Sequence, residues 1–177
     1  MKEQLCLCDG HGRMLPGTIA RDALDARPEG AFGRVCDVWF ADRQGRLLLQ
    51  KRSMDKAVHP GLWGCTGGCI RAGESPEEGC IRECREELGL TPDMNCGGLI
   101  MGYCGRRVYH DVWLFLQGVA REELTLRPGE VDDAGWFTAE EIRAMLRRGE
   151  AAPPGYMEQL LAMLPVLCAF GKEGSIC

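Results

Sequence analysis

Residues 68–90 read GCIRAGESPEEGCIRECREELGL, and this stretch specifies one helix at both of its ends. Ser75 precedes Pro76, and Glu78 stands three residues after Ser75. A serine N-cap, a proline in the first turn and a glutamate closing a capping box together set the start. Gly89 directly follows Leu88 and suits the left-handed cap that ends a helix. At about 100° per residue, Cys80, Ile81, Cys84 and Leu88 form an apolar stripe that must be laid on a core.

The rest of the chain supplies the layer that stripe needs. Residues 34–40 and 46–51 read as strands, and the Asp42-Arg43-Gln44-Gly45 turn between them predicts a hairpin. Residues 97–103, 108–119 and 131–137 read as further strands. In the second of these, Val108, His110, Val112, Leu114 and Leu116 alternate with Tyr109, Asp111, Trp113 and Phe115, so the strand is covered on both sides. Thr138 with Glu141 opens a second helix by a capping box, ending near Arg148-Gly149. A final helix within residues 155–170 is interrupted or bent at Pro165. Residues 1–30 read as a short strand, a turn and a loop, and residues 52–73 as a glycine-rich loop. Strands before and after a capped helix, closed by two more helices, predict an α/β fold with a mixed sheet between helices.

Composition narrows the class. The chain has 177 residues, the size of one domain, which we take as 1–177 with an N-terminal extension over 1–30 and a C-terminal helix over 155–177. Its 21 basic and 26 acidic residues give a net charge of −5, so no global field draws it to nucleic acid or to an anionic membrane. No basic segment followed by an apolar run opens the sequence, and no apolar run is long enough to span a bilayer, so a cytoplasmic location is expected. The close pairs among its 11 cysteines, Cys6/Cys8, Cys65/Cys69 and Cys80/Cys84, lack the two-residue gap of zinc knuckles, so reduced thiols are expected.

The capped helix also carries chemistry. Glu83, Glu86 and Glu87 have the i, i+3, i+4 spacing that gathers three carboxylates on one arc. Such a group repels itself unless cations sit within it. One reading is a solvated acidic face paired with Arg82 and Arg85. The other is a site for a hard divalent cation, Mg²⁺ by preference with Mn²⁺ as a substitute.

The complete pattern decides between them. Gly68, five residues, Glu74, seven residues, then Arg82-Glu83-Cys84-Arg85-Glu86-Glu87-Leu88-Gly89-Leu90 resembles the Nudix box, G-x5-E-x7-R-E-U-x-E-E-x-G-U, with U a bulky aliphatic residue. The one departure is Cys84 at the first U position, where a small buried thiol keeps the apolar role with less volume. Trp136-Phe137-Thr138 ahead of the next helix extends the likeness. The resemblance implies an α/β/α sandwich around a mixed sheet and hydrolysis of a diphosphate bond, in a nucleoside-diphosphate-linked or related small molecule. It implies that Glu83, Glu86 and Glu87 hold the metal. Glu74, Arg82, Glu86 and Glu87 form the catalytic set, with Arg82 orienting a carboxylate. The base is Glu86, Glu87, or an acidic residue of the later loop such as Glu130, Asp132 or Asp133. A homodimer is compatible with it; a membrane or a specific nucleic acid sequence is not an expected partner.

Residues 51–68, with Arg52, Lys56, His59-Pro60-Gly61-Leu62-Trp63 and Thr66-Gly67-Gly68, look like the Nudix proteins related to isopentenyl diphosphate isomerase. In that likeness Arg52 and Lys56 lie near the diphosphate; with Gly68 and Glu130 they make up the candidate substrate-binding set, and Trp63 packs beneath the loop. The isomerase reaction uses a cysteine ahead of the box and a histidine-rich metal site. Here Thr66-Gly67-Gly68 separates Cys65 from Cys69, neither cysteine is followed by Gly-His, and the three histidines are scattered. The motif is of the hydrolase type. A domain that senses a nucleotide without cleaving it is the other alternative. Trp39, Tyr103, Arg106, Arg107 and Tyr109 are the candidates to contact the group attached to the diphosphate.

Overall fold

The computed structural model describes residues 3–152 and 154–173, the last four by backbone alone; residues 174–177 of the expected C-terminal segment lie outside the described residues. Strands β1 (Gln4–Cys8), β2 (Met14–Ala20) and β3 (Phe32–Phe40) come first, with a 3₁₀ turn at Arg21–Ala26. Then follow β4 (Leu47–Arg52), β5 (Trp63–Gly64), β6 (Thr66–Cys69) and helix α1 (Pro76–Leu88). Strands β7 (Gly97–Cys104), β8 (Val108–Phe115) and β9 (Val131–Phe137) precede α2 (Ala139–Arg148) and α3 (Met157–Glu173). α3 runs through Pro165 as one helix.

Two sheets form. The larger has the order β2-β1-β3-β8-β7, with β6 also on β3, and the smaller the order β5-β4-β9. β3 and β8 are parallel from Gly33↔Val108 to Phe40↔Phe115, while the other pairings are antiparallel. The period-two pattern of these strands sorts their side chains onto two faces. Cys36, Val38 and Phe40 pack with Trp113, Phe115 and Leu48 beneath Cys80, Cys84 and Leu88 of α1. Trp39, Ala41, Val112 and Leu114 pack with Leu47 and Leu49 beneath Ile142 of α2 and Leu160 and Leu164 of α3. Helices therefore cover both faces of a curled mixed sheet, as the sequence predicts.

Three local expectations change. The turn at Asp42 forms, with Asp42 Oδ1 accepting from the Gln44 and Arg46 amides at 2.9 and 2.8 Å. Its flanking strands do not form a hairpin: beyond one bridge, Ala41↔Leu47, β3 goes to the large sheet and β4 to the small one. The Ala41 amide is taken by Phe115 O at 2.8 Å, which draws the end of β3 toward β8. Residues 1–30 hold a β1–β2 hairpin where one strand is expected. The glycine-rich loop contains β5 and β6, whose brevity hides their period.

Both capping boxes are present, Ser75 with Glu78 and Thr138 with Glu141. Gly89 ends α1 at φ 67°, where an added Cβ would lie 2.7 Å from Thr125 Cβ, so only glycine fits there without strain. Among the described residues Cys6, Cys8, Cys36, Cys65, Cys69, Cys80, Cys84 and Cys104 form no disulfide, and reduced thiols are expected throughout. Cys96 departs from that expectation and is disulfide-bonded. Cys84 is fully buried among Cys36 and Cys80, in keeping with its apolar position in the motif.

Candidate active site

α1 places its three glutamates in three different settings. Glu87 stands seven residues after Cys80 and three after Cys84, so it shares their inward face and is only 6% exposed. Ile81, assigned to that stripe from the sequence, is instead half-buried at its edge. Glu87 Oε2 accepts three hydrogen bonds: from Gln50 Nε2 at 2.7 Å, Thr66 Oγ1 at 2.6 Å and the Gly67 amide at 3.1 Å. These donors come from β4 and β6, so strands of both sheets fix this carboxylate. Among the described residues no hydrogen bond reaches Oε1.

Glu83 lies beside Arg82, whose Nη1 donates to it at 2.7 Å. The same guanidinium grips Glu74 through Nε at 2.6 Å and Nη2 at 3.0 Å, and Nη2 donates to Cys69 O at 2.9 Å. A planar fork can bind several acceptors at fixed angles where a lysine could not. Burial opposes the charge on Arg82, but its bonds to Glu74 and Glu83 outweigh burial and raise its pKa. Burial likewise acts to raise Glu74, yet Arg82 and the Arg71 amide bring it below the usual carboxylate range. Glu83 goes the other way: burial pushes its carboxyl up against the pull of Arg82. Gly68 passes directly over this carboxylate, and an added Cβ would lie 2.4 Å from Glu83 Oε1.

Glu86 is the most exposed of the three. Arg71 approaches it at 3.3 and 3.4 Å and Arg127 at 3.0 Å. Cations therefore do sit among the glutamates, and here they are guanidinium groups. Among the described residues no group of three side chains stands as a ready metal shell. The donor set still fits a hard divalent cation, being carboxylate oxygens alone, beside a backbone cradle at Gly68 that carries no side chain.

The substrate set lies to one side. Lys56 forms an ion pair with Glu130, and that bond, ahead of burial, brings Glu130 below the usual carboxylate range. Arg52 Nε donates to Val58 O at 3.0 Å. Neither cation pairs with a box carboxylate among the described residues. Glu130 adjoins the site through Arg127, whose carbonyl accepts the Glu130 amide at 3.1 Å and whose side chain reaches Glu86. Asp132 accepts the Met54 amide at 3.3 Å, and Asp133 pairs with Arg121 at 3.1 Å.

The residues chosen for the attached group divide. Trp39 is fully buried and donates to Tyr156 Oη at 3.2 Å, so it is a core residue. Arg107 pairs with Asp25 at 2.8 Å, and the Tyr109 ring lies under the Arg34 guanidinium, both away from the glutamates. Arg106 is exposed and its carbonyl accepts from Arg27 at 2.9 Å. Tyr103 remains, packed by its ring against His110 and Tyr156. Trp63 meets Phe137 edge-on at 4.9 Å, a packing role as expected. Gln50, Arg71 and Arg127 are additions that the sequence did not mark, and Thr66, quoted there only within a motif, gains a role as a donor to Glu87.

Comparison with known proteins agrees with this geometry. The profile of the NUDIX domain matches residues 31–160. The chain belongs to the Nudix family. An uncharacterised Nudix hydrolase of Listeria monocytogenes is 33% identical over 132 residues, covering 74% of this chain and 78% of that protein. A Streptomyces griseus protein named isopentenyl-diphosphate Delta-isomerase is 32% identical over 142 residues, 77% of this chain and 71% of that one. The crystal structure of DR0079 from Deinococcus radiodurans superposes with a TM-score of 0.69 at 22% identity, covering 93% of this chain and 99% of that one. That likeness carries the Nudix fold. Family membership supports hydrolase activity on a small molecule, and Nudix hydrolases generally use divalent metal ions. No helix among the described residues is long and apolar enough to cross a membrane.

Proposed function

We propose that this Nudix protein is a Mg²⁺-dependent diphosphohydrolase that cleaves a nucleoside-diphosphate-linked or related small molecule. The observation that carries this reading is the setting of Glu87: three donors hold Oε2, and among the described residues no hydrogen bond reaches Oε1. Glu83, Glu86 and Glu87 would hold the cation, with Mn²⁺ able to replace Mg²⁺. When bound, the cation neutralises the diphosphate and makes phosphorus open to attack.

The protein's own groups do the rest. Arg82 keeps Glu74 and Glu83 in one orientation, so the carboxylates need little rearrangement during the reaction. Glu87 Oε1, or the less buried Glu86, takes the proton of the attacking water. Gln50, Thr66 and Gly67 fix that base in position without touching the substrate. Arg52 and Lys56 lie beside Glu130, where exchange of an ion pair for a phosphate oxygen would bind the substrate's anionic end. The protein acts in the cytoplasm on this reading, and a homodimer remains compatible with it.

A panel of diphosphate compounds, assayed with and without Mg²⁺, tests the proposal. Metal-dependent turnover, with mass spectrometry locating the broken bond, is the expected result. Tight nucleotide binding with no hydrolysis would replace it by a sensing role.

The Streptomyces relatives named as isomerases motivate a second reading. Against it, the three histidines stand on separate elements: His11 in the β1–β2 turn, His59 in the loop after β4, and His110 on β8. Formation of dimethylallyl diphosphate from isopentenyl diphosphate would establish that reading.

A further inference from the structure

On β3 and β8 the residues that pack toward α3 include Trp39, Val112 and Leu114. Asp37 on β3 and His110 on β8 stand beside them. His110 Nδ1 lies 2.8 Å from Asp37 Oδ2, and Tyr156 Oη donates to the same oxygen at 2.6 Å. A carboxylate only accepts, so Nδ1 carries the proton. Tyr156 in turn accepts from Trp39 Nε1 at 3.2 Å. Tyr103 closes the group, its ring 5.8 Å from His110 and 5.7 Å from Tyr156.

Two details go beyond what the core requires. Both hydrogen bonds to Asp37 end on Oδ2, and among the described residues none reaches Oδ1. A neutral side chain could accept from Tyr156, so packing alone does not call for a charge here. The pair is also reachable, with side-chain exposures of 16% for Asp37 and 23% for His110, while Tyr156 and Trp39 behind them are closed.

The group adjoins the proposed catalytic carboxylate. Asp37 is the register partner of Gly67 across β3 and β6, and the Gly67 amide donates to Glu87 Oε2 at 3.1 Å. Cys65 precedes this strand. Burial raises its thiol pKa, and the Asp37 and Glu87 carboxylates add to the rise, which places both near its sulfur. Gly67 is thus one strand spacing from Asp37 and hydrogen-bonded to Glu87, with Glu87 on the α1 side of the sheet and the Asp37 side chain on its α3 side.

We propose that Asp37 Oδ1 is the specificity point for the group attached to the diphosphate, accepting a hydrogen bond from an exocyclic amino N–H on a heterocycle, with Tyr103 and His110 as the flanking rings. The inference rests on the diphosphohydrolase reading for the placement of the substrate. A carboxylate at this point favours a donor and repels a carbonyl or an anion presented in the same position.

The test uses two matched pairs, cytidine with uridine diphosphate and adenosine with inosine diphosphate. Within each pair the exocyclic amino group is replaced by oxygen, and the adjacent ring nitrogen changes from an acceptor to an N–H donor. Affinity for wild type in Mg²⁺ is measured by calorimetry, and hydrolysis separately by product chromatography. The amino member is expected to bind at least about tenfold tighter in one pair or both. Asp37→Asn, isosteric and still able to accept from Tyr156, is expected to bring that ratio below about threefold. A purely structural role for Asp37 would weaken both members equally. Should Asp37→Asn not fold, Asp37→Glu keeps the charge but displaces it, and the ratio should fall likewise. Equal affinities in both pairs for wild type, absence of any binding, or a preference that survives these substitutions overturns the inference. Preferential binding without hydrolysis would retain Asp37 as the specificity point and remove the hydrolase reading. Hydrolysis without preference would do the reverse.

Discussion

Gly68→Ala should separate stability from catalysis. The new Cβ would stand 2.4 Å from Glu83 Oε1, 2.5 Å from its Cδ and 2.8 Å from Oε2. Ordinary contact begins near 3.4 Å, so the carboxylate must retreat by about 1 Å. Gly68 lies outside the left-handed region, so alanine imposes no backbone strain. Reduced freedom of the unfolded chain would contribute about 0.4–1 kcal/mol of stability. Against that stands a disturbed Arg82–Glu83 bond in a partly open site, at about 1 kcal/mol. Net stability should therefore change by less than about 1 kcal/mol. A displacement of about 1 Å at a catalytic group lowers turnover by about 100-fold. Chemical denaturation gives the first quantity, and kcat on the substrate found with the diphosphate panel gives the second. A folded variant that keeps turnover within about threefold of wild type would refute a metal-holding role for Glu83. Loss of the fold would refute the view that the Glu83 side chain can yield.

Three further substitutions probe other parts of the account. Arg82→Met removes the shared partner of Glu74 and Glu83, whose side chains are 20% and 13% exposed. It should cost about 2–3 kcal/mol by denaturation, below the value for a fully buried pair. Tyr156→Phe leaves the buried Trp39 Nε1 without its acceptor and takes a donor from Asp37, so a loss of about 1–3 kcal/mol is expected in the same assay. Glu130 has a folded pKa below its ordinary 4.5 through Lys56. Its ion pair therefore contributes above pH 4.5 and is lost as pH falls through the folded value. Stability profiles of wild type and Glu130→Gln should differ by up to about 1 kcal/mol near neutrality and converge in acid.

What the sequence disclosed follows the range of its interactions. The caps of α1 and α2 are short-range hydrogen bonds among Ser75, Glu78, Thr138 and Glu141, so they are visible in the residues themselves. The spacing of Gly68, Glu74, Arg82, Glu83, Glu86 and Glu87 is likewise local to one loop and one helix. The fixing of Glu87 is not local. Gln50 is 37 residues away in the chain, and its one sequence signal is a polar residue ending the apolar run Leu47-Leu48-Leu49. The hairpin expected around Asp42 failed because a turn reports its own hydrogen bonds and not the sheet each strand joins. Trp39 was misjudged for a similar reason. Its partner Tyr156 lies 117 residues away, and only packing against α3 shows that the indole is closed off from any substrate.

The central claim is that Glu83, Glu86 and Glu87 serve one metal-dependent hydrolysis. It is tested most directly by kcat of Glu87→Gln beside wild type, as a function of Mg²⁺ concentration. Glutamine preserves the shape and can still accept from Thr66 and Gly67, so the fold should persist. The account predicts Mg²⁺-dependent turnover in wild type and a loss of about 100-fold or more in the variant. Turnover unchanged in the variant, or independent of the metal in wild type, would contradict it.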